Sequence, residues 1–253
     1  MQKVWQPDVY DSQFGFVSDY GQEILKILDP QPNEKILDLG CGTGRLTDAI
    51  AQSGALVTGM DLDISMLARA KEMYPNIRFE EADAHFFKTD ARFDAVFSNA
   101  ALHWMTRPSM VLERVSDALR TGGRFVAEMG AKGNVQIIIT ALRDALDKLK
   151  IEVPDLNHIW YFPSVAEYCQ LLEQHSFHID FVQHFPRRTP LPPGKNGLKS
   201  WVRMFASPIL GQVSNHMVNT ICAEVERSAN DRLFEDGRWF ADYQRLRFGA
   251  TRI

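Results

Sequence analysis

The sequence lacks several features that would place it in a special class. Its 253 residues contain no run that approaches the roughly 18 consecutive apolar residues of a membrane-spanning helix. Asp8 and Asp11 fall where a secretory signal peptide would have its apolar core. Cys41, Cys169 and Cys222 form no CxxC pair and suggest neither a disulfide framework nor a metal site. These absences predict a cytoplasmic protein with reduced thiols, without a membrane span and without a bound metal.

Positive charge is also scarce, since 28 Lys and Arg stand against 32 Asp and Glu, for a net charge of −4. This balance argues against a nucleic-acid partner, because such proteins bind phosphates through an excess of basic residues. One stretch is different: residues 181–223 contain no Asp or Glu but carry Arg187, Arg188 and Arg203. If this stretch lies over the carboxyl ends of a parallel sheet, its cations face the ligand pocket. We therefore expect Arg187 and Arg188 to bind a small anionic substrate, the alternative for each being a solvent-exposed basic surface. The oligomeric state stays open.

Strand and helix patterns alternate through the first 130 residues. Such alternation predicts βαβ units and a parallel sheet. After residue 130 the pattern becomes mainly helical, with two further strands near the end. The predicted strands are 35–39, 55–60, 77–81, 93–98, 123–129, 178–185 and 243–252, and the predicted helices are 21–28, 43–53, 64–73, 110–119, 135–149, 164–174, 198–205 and 213–227.

A glycine-rich turn follows the first predicted strand, in the sequence ILDLGCGTG. Gly40, Gly42 and Gly44 allow the backbone to approach a ligand closely, and the helix that follows favours anionic groups at its start. A dinucleotide fingerprint, GxGxxG, needs glycine at the position of Arg45. Asp38 would also repel a pyrophosphate, whereas it would attract an ammonium group. The turn therefore disfavours a dinucleotide-dependent oxidoreductase.

DLGCGTG resembles motif I of the class I S-adenosylmethionine-dependent methyltransferases. Further landmarks of that family fall in the same order: Asp61 after the second strand, Asp83 after the third, 99–104 after the fourth, and 119–125 at the turn into the fifth. The resemblance implies an α/β, Rossmann-like fold with a seven-stranded mixed sheet in the order 3-2-1-4-5-7-6, the last strand antiparallel, flanked by helices and with a helical lid insertion. It implies one domain over 1–253, with an N-terminal cap segment at 1–30, a cofactor-binding core at 31–130 and substrate-side helices and closing strands at 131–253.

The same resemblance implies S-adenosyl-L-methionine as the cofactor. The carboxylate of Asp61 would accept hydrogen bonds from the ribose hydroxyls, and Asp83 would receive the adenine amino group. The N-terminal segment would fold over the cofactor. The expected cofactor-binding residues are Tyr10, Asp38, Gly40, Gly42, Gly44, Asp61, Leu62, Met66, Asp83, Ala84, Asn99 and Ala100.

Three segments, 5–10, 99–104 and 190–205, are similar to the trans-aconitate methyltransferase group, which methylates a carboxylate of a small organic acid. O-methylation of an organic acid is the implied activity, the alternatives being an acyl-carrier-bound acid, a carbon or nitrogen acceptor, or a module that binds the cofactor without catalysis. His103 stands where that group is expected to have glutamine, and it is the one strong base candidate near the predicted site. We predict a catalytic role for His103, with substrate contact or a structural role as alternatives. The expected substrate-binding residues are Trp104, Arg187, Arg188 and Trp201.

Overall fold

The computed structural model describes residues 5–90, 92–152 and 159–253, and a mixed β-sheet runs through its centre. The strands are short where they alternate with helices and long near the end of the chain. They are β1 (Lys35–Leu39), β2 (Leu56–Asp61), β3 (Arg78–Glu81), β4 (Phe93–Asn99), β5 (Leu119–Gly130), β6 (Phe177–Pro190), β7 (Phe234–Glu235) and β8 (Arg238–Arg252).

The strand order is β3-β2-β1-β4-β5-β8-β6, and β7 pairs only with β8. Strands β1 to β5 are parallel, whereas β8 lies antiparallel between β5 and β6. The predicted order 3-2-1-4-5-7-6 is confirmed, because the two-residue β7 forms a small hairpin with β8 and leaves β8 in the place of the predicted seventh strand.

Helices cover both faces of the sheet and one of its edges. Their bounds in the described ranges are α1 (Pro7–Phe14), α2 (Phe16–Leu28), α3 (Arg45–Ala51), α4 (Ile64–Met73), α5 (Pro108–Ala118), α6 (Gln136–Lys148), α7 (Val165–Gln174), α8 (Gly197–Phe205), α9 (Ser207–Leu210) and α10 (Asn215–Leu233), with a 3₁₀ turn at Leu102–Trp104. None of the helices in these ranges is both long enough and apolar enough to cross a membrane.

Apolar stripes explain where the helices lie. Ile24 and Leu28 of α2 pack with β1 and β4 on one face of the sheet. Leu112 of α5 and Tyr168 of α7 pack on the other face. Helices α6, α8, α9 and α10 form a separate apolar cluster with Trp239 at the start of β8. Because β8 runs antiparallel to β5, its start lies beside the end of β5, so this helical layer sits at the carboxyl edge of the parallel strands.

Strand β6 continues past the predicted end at residue 185 and pairs with β8 as far as Pro190. Pro186 lacks a backbone donor, but β6 is the outermost strand of the sheet, where proline is tolerated. The extension determines where the two arginines that follow Pro186 point, as described below.

Candidate active site

Two adjoining cavities lie at the carboxyl ends of the parallel strands. The larger cavity has a volume of about 450 Å³ and the smaller cavity one of about 60 Å³. In α/β sheets this edge is where ligands bind. The two cavities share the lining residues Trp5, Tyr10, Asn99, Ala100 and Trp104.

The glycine turn forms one wall of the larger cavity. Gly40 has a φ of 78°, and a Cβ atom at this position would lie 2.2 Å from the Cβ of Ala101, so no other residue fits. Gly42 has a φ of 55° and no heavy atom within 4 Å of the place of a Cβ atom, so its backbone is open to the cavity. Gly44 does not line the larger cavity. A Cβ atom at Gly44 would lie 2.8 Å from the ring of Phe79, so this glycine allows the turn to pack against the sheet.

Asp61, at the end of β2, lines the larger cavity and fixes the turn. Its Oδ2 accepts a hydrogen bond from the backbone N–H of Gly42 at 2.8 Å, and its Oδ1 accepts one from the N–H of Asp63 at 2.9 Å. Burial raises the pKa of Asp61 above its ordinary value. The carboxylate therefore joins the end of β2 to the glycine turn at the cavity wall.

Asp38, in β1, lies beside a separate recess of about 40 Å³ that it shares with Tyr10, Gly40 and Gly42. Its carboxylate is buried and accepts a hydrogen bond from the Thr47 hydroxyl at 2.7 Å. Burial raises the pKa of Asp38 to about 7, although the Thr47 hydroxyl opposes the shift. A cation in this recess would favour the ionised form.

Asp83 and His85 line the larger cavity where the chain leaves β3. The Asp83 Oδ1 atom accepts a hydrogen bond from the His85 N–H at 2.9 Å and lies 2.5 Å from His85 Nδ1. Both contacts engage Oδ1, which leaves Oδ2 for a further donor. His85 was not among the site residues predicted from the sequence. The sequence feature that could have indicated it is its position two residues after Asp83, which begins a turn.

Helix α1 closes over the glycine turn. Asp11 accepts a hydrogen bond from the Thr43 hydroxyl at 2.8 Å, and Asp63 accepts one from the N–H of Trp5 at 3.3 Å. Tyr10 projects between the two cavities, and burial raises the pKa of its phenol, which stays protonated. The expected cap segment thus forms part of the walls of both cavities.

The wall of the smaller cavity is mainly aromatic. The Trp201 Nε1–H donates a hydrogen bond to the Tyr243 hydroxyl at 2.7 Å, which fixes two of these side chains. The aromatic members are Trp5, Tyr10, Phe16, Tyr20, Trp104, Trp160, Phe162, Trp201, Phe205 and Tyr243.

Charge enters the smaller cavity through Glu128, Arg187 and Arg245. Arg187 forms a bidentate pair with Glu128, with Nη1–Oε1 at 2.5 Å and Nη2–Oε2 at 3.1 Å, and its guanidinium lies 4.5 Å from the centre of the Tyr20 ring. Arg247 also donates to Glu128, from Nε at 2.9 Å. Burial opposes ionisation of Glu128, but these arginines hold its pKa below the ordinary value.

Arg245 differs from Arg187 in how it meets Glu128. Within the described part of the chain its one side-chain hydrogen bond runs from Nε to Oε1 of Glu128, at 3.0 Å. Both terminal amino groups therefore remain for a ligand, and the residue is almost fully buried. Arg245 was not among the site residues predicted from the sequence. Its position could have been indicated by the alternation of Arg245 and Arg247 with Leu246 and Phe248, which places both arginines on one face of a strand.

Arg188 lies away from both cavities, contrary to the expectation that it contacts the substrate. It is half-exposed, forms an ion pair with Glu235 and lies over the ring of Phe240. The reason is geometric: neighbouring residues of a strand point to opposite faces, so Arg187 and Arg188 cannot both face one cavity. Arg203 is on an exposed surface and donates to Asn219.

His103 is buried in the 3₁₀ turn and lines the smaller cavity. Its Nδ1 accepts a long hydrogen bond of 3.4 Å from the backbone N–H of Gly130. This contact favours the neutral tautomer with hydrogen on Nε2, in which Nδ1 is already used as the acceptor. In that tautomer Nδ1 is not available as a base.

Comparison with known proteins assigns the family. Residues 36–123 match the methyltransferase domain family, a range that contains the glycine turn, all of β2, β3 and β4, and parts of β1 and β5. The chain is 33% identical to an uncharacterized methyltransferase of Schizosaccharomyces pombe over 97% of each chain. The protein is a class I S-adenosylmethionine-dependent methyltransferase.

Two further comparisons place this methyltransferase more closely. It is 35% identical to the trans-aconitate 2-methyltransferase of Deinococcus radiodurans over half of each chain. A solved S-adenosylmethionine-dependent methyltransferase from Mesorhizobium loti has the same fold, with a TM-score of 0.56 and 22% identity over 91% of this chain and 96% of that one. The predicted family and its resemblance to the trans-aconitate methyltransferases are confirmed.

The larger cavity fits the cofactor of this methyltransferase. A closely approaching glycine backbone, a carboxylate at the end of β2 and a second carboxylate after β3 lie around one space. Ten of the twelve expected cofactor-binding residues line it. Of the other two, Asp38 lies beside the adjoining recess, and Gly44 packs against the ring of Phe79. The ten are Tyr10, Gly40, Gly42, Asp61, Leu62, Met66, Asp83, Ala84, Asn99 and Ala100.

The expected substrate residues gather in the smaller cavity. Trp104, Arg187 and Trp201 line it together with His103, whereas Arg188 does not. Across residues 5–90, 92–152 and 159–253, no group of three or more His, Cys, Asp or Glu side chains is arranged to hold a metal ion.

Proposed function

We propose that this methyltransferase transfers a methyl group to a carboxylate of a small organic acid. The observation that carries the proposal is the placement of Arg245: its terminal amino groups make no hydrogen bond to any described residue, and it lines a cavity that adjoins the larger one. A guanidinium is well suited to bind a carboxylate through two parallel hydrogen bonds. The names of the trans-aconitate 2-methyltransferase relatives support the same substrate class.

Residues around the larger cavity would hold the cofactor. We assign Asp61 to the ribose hydroxyls, Asp83 Oδ2 to the adenine amino group, and the recess at Asp38 to an ammonium group, because these residues line the larger cavity and the adjoining recess. When bound, S-adenosyl-L-methionine would supply a methyl group activated by the positive charge of its sulfonium, so that the products would be the methyl ester of the acid and S-adenosylhomocysteine.

The remaining catalytic work of the chain is alignment. A carboxylate is already ionised at neutral pH, so its methylation releases no proton and requires no general base. The absence of a base from this reaction agrees with the contact of His103, because its Nδ1 already accepts the N–H of Gly130. Arg245 would orient the acceptor, the aromatic wall would exclude water, and correct orientation of the two reactants would supply most of the rate enhancement.

The alternative acceptors differ in what they require. A hydroxyl or amine nucleophile would need a base, and the acceptor atom of the base candidate, Nδ1 of His103, already faces the N–H of Gly130. An acyl-carrier-bound acid would have to reach a cavity of about 60 Å³. A module that binds the cofactor without catalysis would form no S-adenosylhomocysteine with any acceptor.

The proposal is tested by incubating the enzyme with S-adenosyl-L-methionine and a panel of small carboxylic acids, with methyl esters and S-adenosylhomocysteine detected by mass spectrometry. We expect equal amounts of the two products from at least one acid. The Arg188→Gln variant, altered outside both cavities, is the matched control and should retain this activity. Formation of S-adenosylhomocysteine only with amines or alcohols would reject carboxylate methylation, and no turnover with any acceptor would favour the non-catalytic alternative.

A further inference from the structure

We infer that the acceptor of this methyltransferase is a monoanion, a small acid with one carboxylate and an otherwise uncharged body. The inference rests on the proposed function and makes it narrower. It comes from the balance of charge in the smaller cavity, which holds more positive than negative side chains by a single unit.

The balance is the same whether the nearest residues or the whole cluster is counted. Among the described residues of the wall, Arg187 and Arg245 carry two positive charges and Glu128 one negative charge, which gives +1. Arg247 and Glu23 extend the cluster, since Arg247 donates to Glu128 and lies 3.0 Å from Glu23. Adding one cation and one anion leaves the total at +1.

The Arg187 charge is already matched inside this cluster. Its two terminal nitrogen atoms both bond to Glu128, so it supports the carboxylate of the protein and not that of a ligand. Arg245 shares Glu128 with Arg187 and Arg247 and meets it through Nε alone, so we assign the excess positive charge to its terminal amino groups; the side chain is only 8% exposed. An unbalanced buried cation is unfavourable without an anionic partner, and one carboxylate completes the pairing.

A second or third carboxylate would find no cation in the rest of the described wall. That wall consists of aromatic rings and His103, the uncharged polar groups of Asn99, Asn134 and Thr189, and the aliphatic side chains of Val17, Ala100 and Val135. A tricarboxylate would bring three negative charges into a cavity whose side chains carry a residual charge of +1. Two of its carboxylates would then lie among the aromatic rings and close to Glu128. Like charges in a poorly solvated site repel strongly. This methyltransferase should therefore differ in acceptor from the relatives named for trans-aconitate.

A ladder of fumarate esters tests the inference, because its three members share a compact four-carbon skeleton and differ in charge by one unit at each step. Fumarate is a dianion, monomethyl fumarate a monoanion, and dimethyl fumarate neutral. Each is titrated into the enzyme saturated with S-adenosylhomocysteine, and trans-aconitate is included as the trianion. The tryptophans in the wall of the smaller cavity, Trp5, Trp104, Trp160 and Trp201, provide the fluorescence signal, with calorimetry as the second measurement.

We expect monomethyl fumarate to bind about tenfold or more tightly than either fumarate or dimethyl fumarate, since one charge-assisted pair is gained against the neutral ester and one unpaired charge is avoided against the dianion. Trans-aconitate should bind more weakly than monomethyl fumarate. Tighter binding of fumarate or trans-aconitate would overturn the inference, and so would a ladder with equal or undetectable affinities.

Two variants shift the charge in opposite directions. Glu128→Gln raises the residual charge from +1 to +2 and should move the preference toward fumarate. Arg245→Gln lowers it to zero and should remove the advantage of the monoester over the diester. Arg188→Gln, altered outside the cavity, should leave the ladder unchanged. Unchanged relative affinities for the three fumarate compounds in a folded Arg245→Gln protein would contradict the inference. If Glu128→Gln does not fold, the relative affinities of the wild-type protein still test the inference.

The binding ladder separates this inference from the proposed function, because it is measured without turnover. Methyl ester formation with preferred binding of polyanions would sustain the proposed function and overturn the inference. Preferred binding of the monoanion without ester formation from any acid would sustain the charge preference of the smaller cavity and overturn the proposed function.

Discussion

The larger cavity is lined mainly by residues at or just after the carboxyl ends of β1, β2, β3 and β4, whereas the smaller cavity takes more than half of its lining residues from α1, α2, α8, β5, β6 and β8. The first is therefore built from short segments that each carry their own turn or strand end. The second depends on side chains that only the assembled sheet brings together. Backbone shape dominates one cavity, and a cluster of buried charges dominates the other.

The largest effect should come from the glycine turn. In Gly40→Ala the new methyl group would lie 2.2 Å from Ala101 Cβ, on a backbone with a φ of 78°. Displacement of the turn should weaken S-adenosylmethionine binding about a hundredfold or more, since a left-handed conformation and a steric clash each cost on the order of 1–3 kcal/mol. Calorimetric titration measures the loss. Gly237→Ala is the matched control, because Gly237 also has a positive φ, of 76°, but has open space around its Cβ position and lies outside both cavities; it should leave cofactor affinity nearly unchanged.

The second effect should separate the two cavities. Arg245→Gln removes the terminal amino groups that we assign to the acceptor, and it should raise the KM for the acid about a hundredfold, as expected for the loss of charge-assisted hydrogen bonds worth roughly 1.5–3 kcal/mol. The dissociation constant of S-adenosylhomocysteine should stay within about twofold, because the change lies outside the larger cavity. Equal losses for both ligands would show that the cavities do not act separately.

These two positions also mark how far the sequence could predict the structure. The glycine turn and the acidic residues at the strand ends were predicted because each follows its own strand within a few residues. Arg245 was missed because its role depends on how β8 pairs with β5 and β6, across more than 50 residues of chain.

Arg188 shows the physical reason most clearly. The predicted strand ended at residue 185, so strand alternation placed no constraint on the two arginines that follow, and both were expected to contact the substrate. Proline is tolerated on an edge strand, and strand alternation through Pro186 then turns Arg187 inward and Arg188 outward. The helical layer over the carboxyl edge was predicted in outline, but which of its aromatic rings meet in one cavity depends on packing between distant helices.

The third prediction tests whether backbone positioning and ligand contact are combined in one carboxylate. Asp61→Ala removes the acceptor of the Gly42 and Asp63 N–H groups, together with the atoms assigned to the ribose hydroxyls. Cofactor affinity should fall about ten- to a hundredfold. Isothermal calorimetry on the purified variant measures it. Wild-type affinity would contradict the assignment of Asp61 to the cofactor.

The smallest effect should come from His85, which contacts the proposed adenine-binding carboxylate of Asp83. His85→Ala should reduce the preference for S-adenosylhomocysteine over S-inosylhomocysteine about three- to tenfold, because a single supporting hydrogen bond contributes about 0.5–1.5 kcal/mol. His85→Asn, whose side-chain amide can take the place of Nδ1, should preserve that preference. Loss of affinity for both ligands in equal measure would indicate a general packing role.

Tyr10, Asn99 and Trp104 belong to the walls of both cavities, and helix α1 carries the first of them. Enlarging the acceptor space at any of these positions would reshape the site of the methyl donor at the same time. Redesign toward bulkier acceptors should instead begin at Trp160, Phe162 and Trp201, which border the acceptor side without touching the donor side. Substitutions at these three positions should therefore change acceptor specificity without changing the proposed cofactor site.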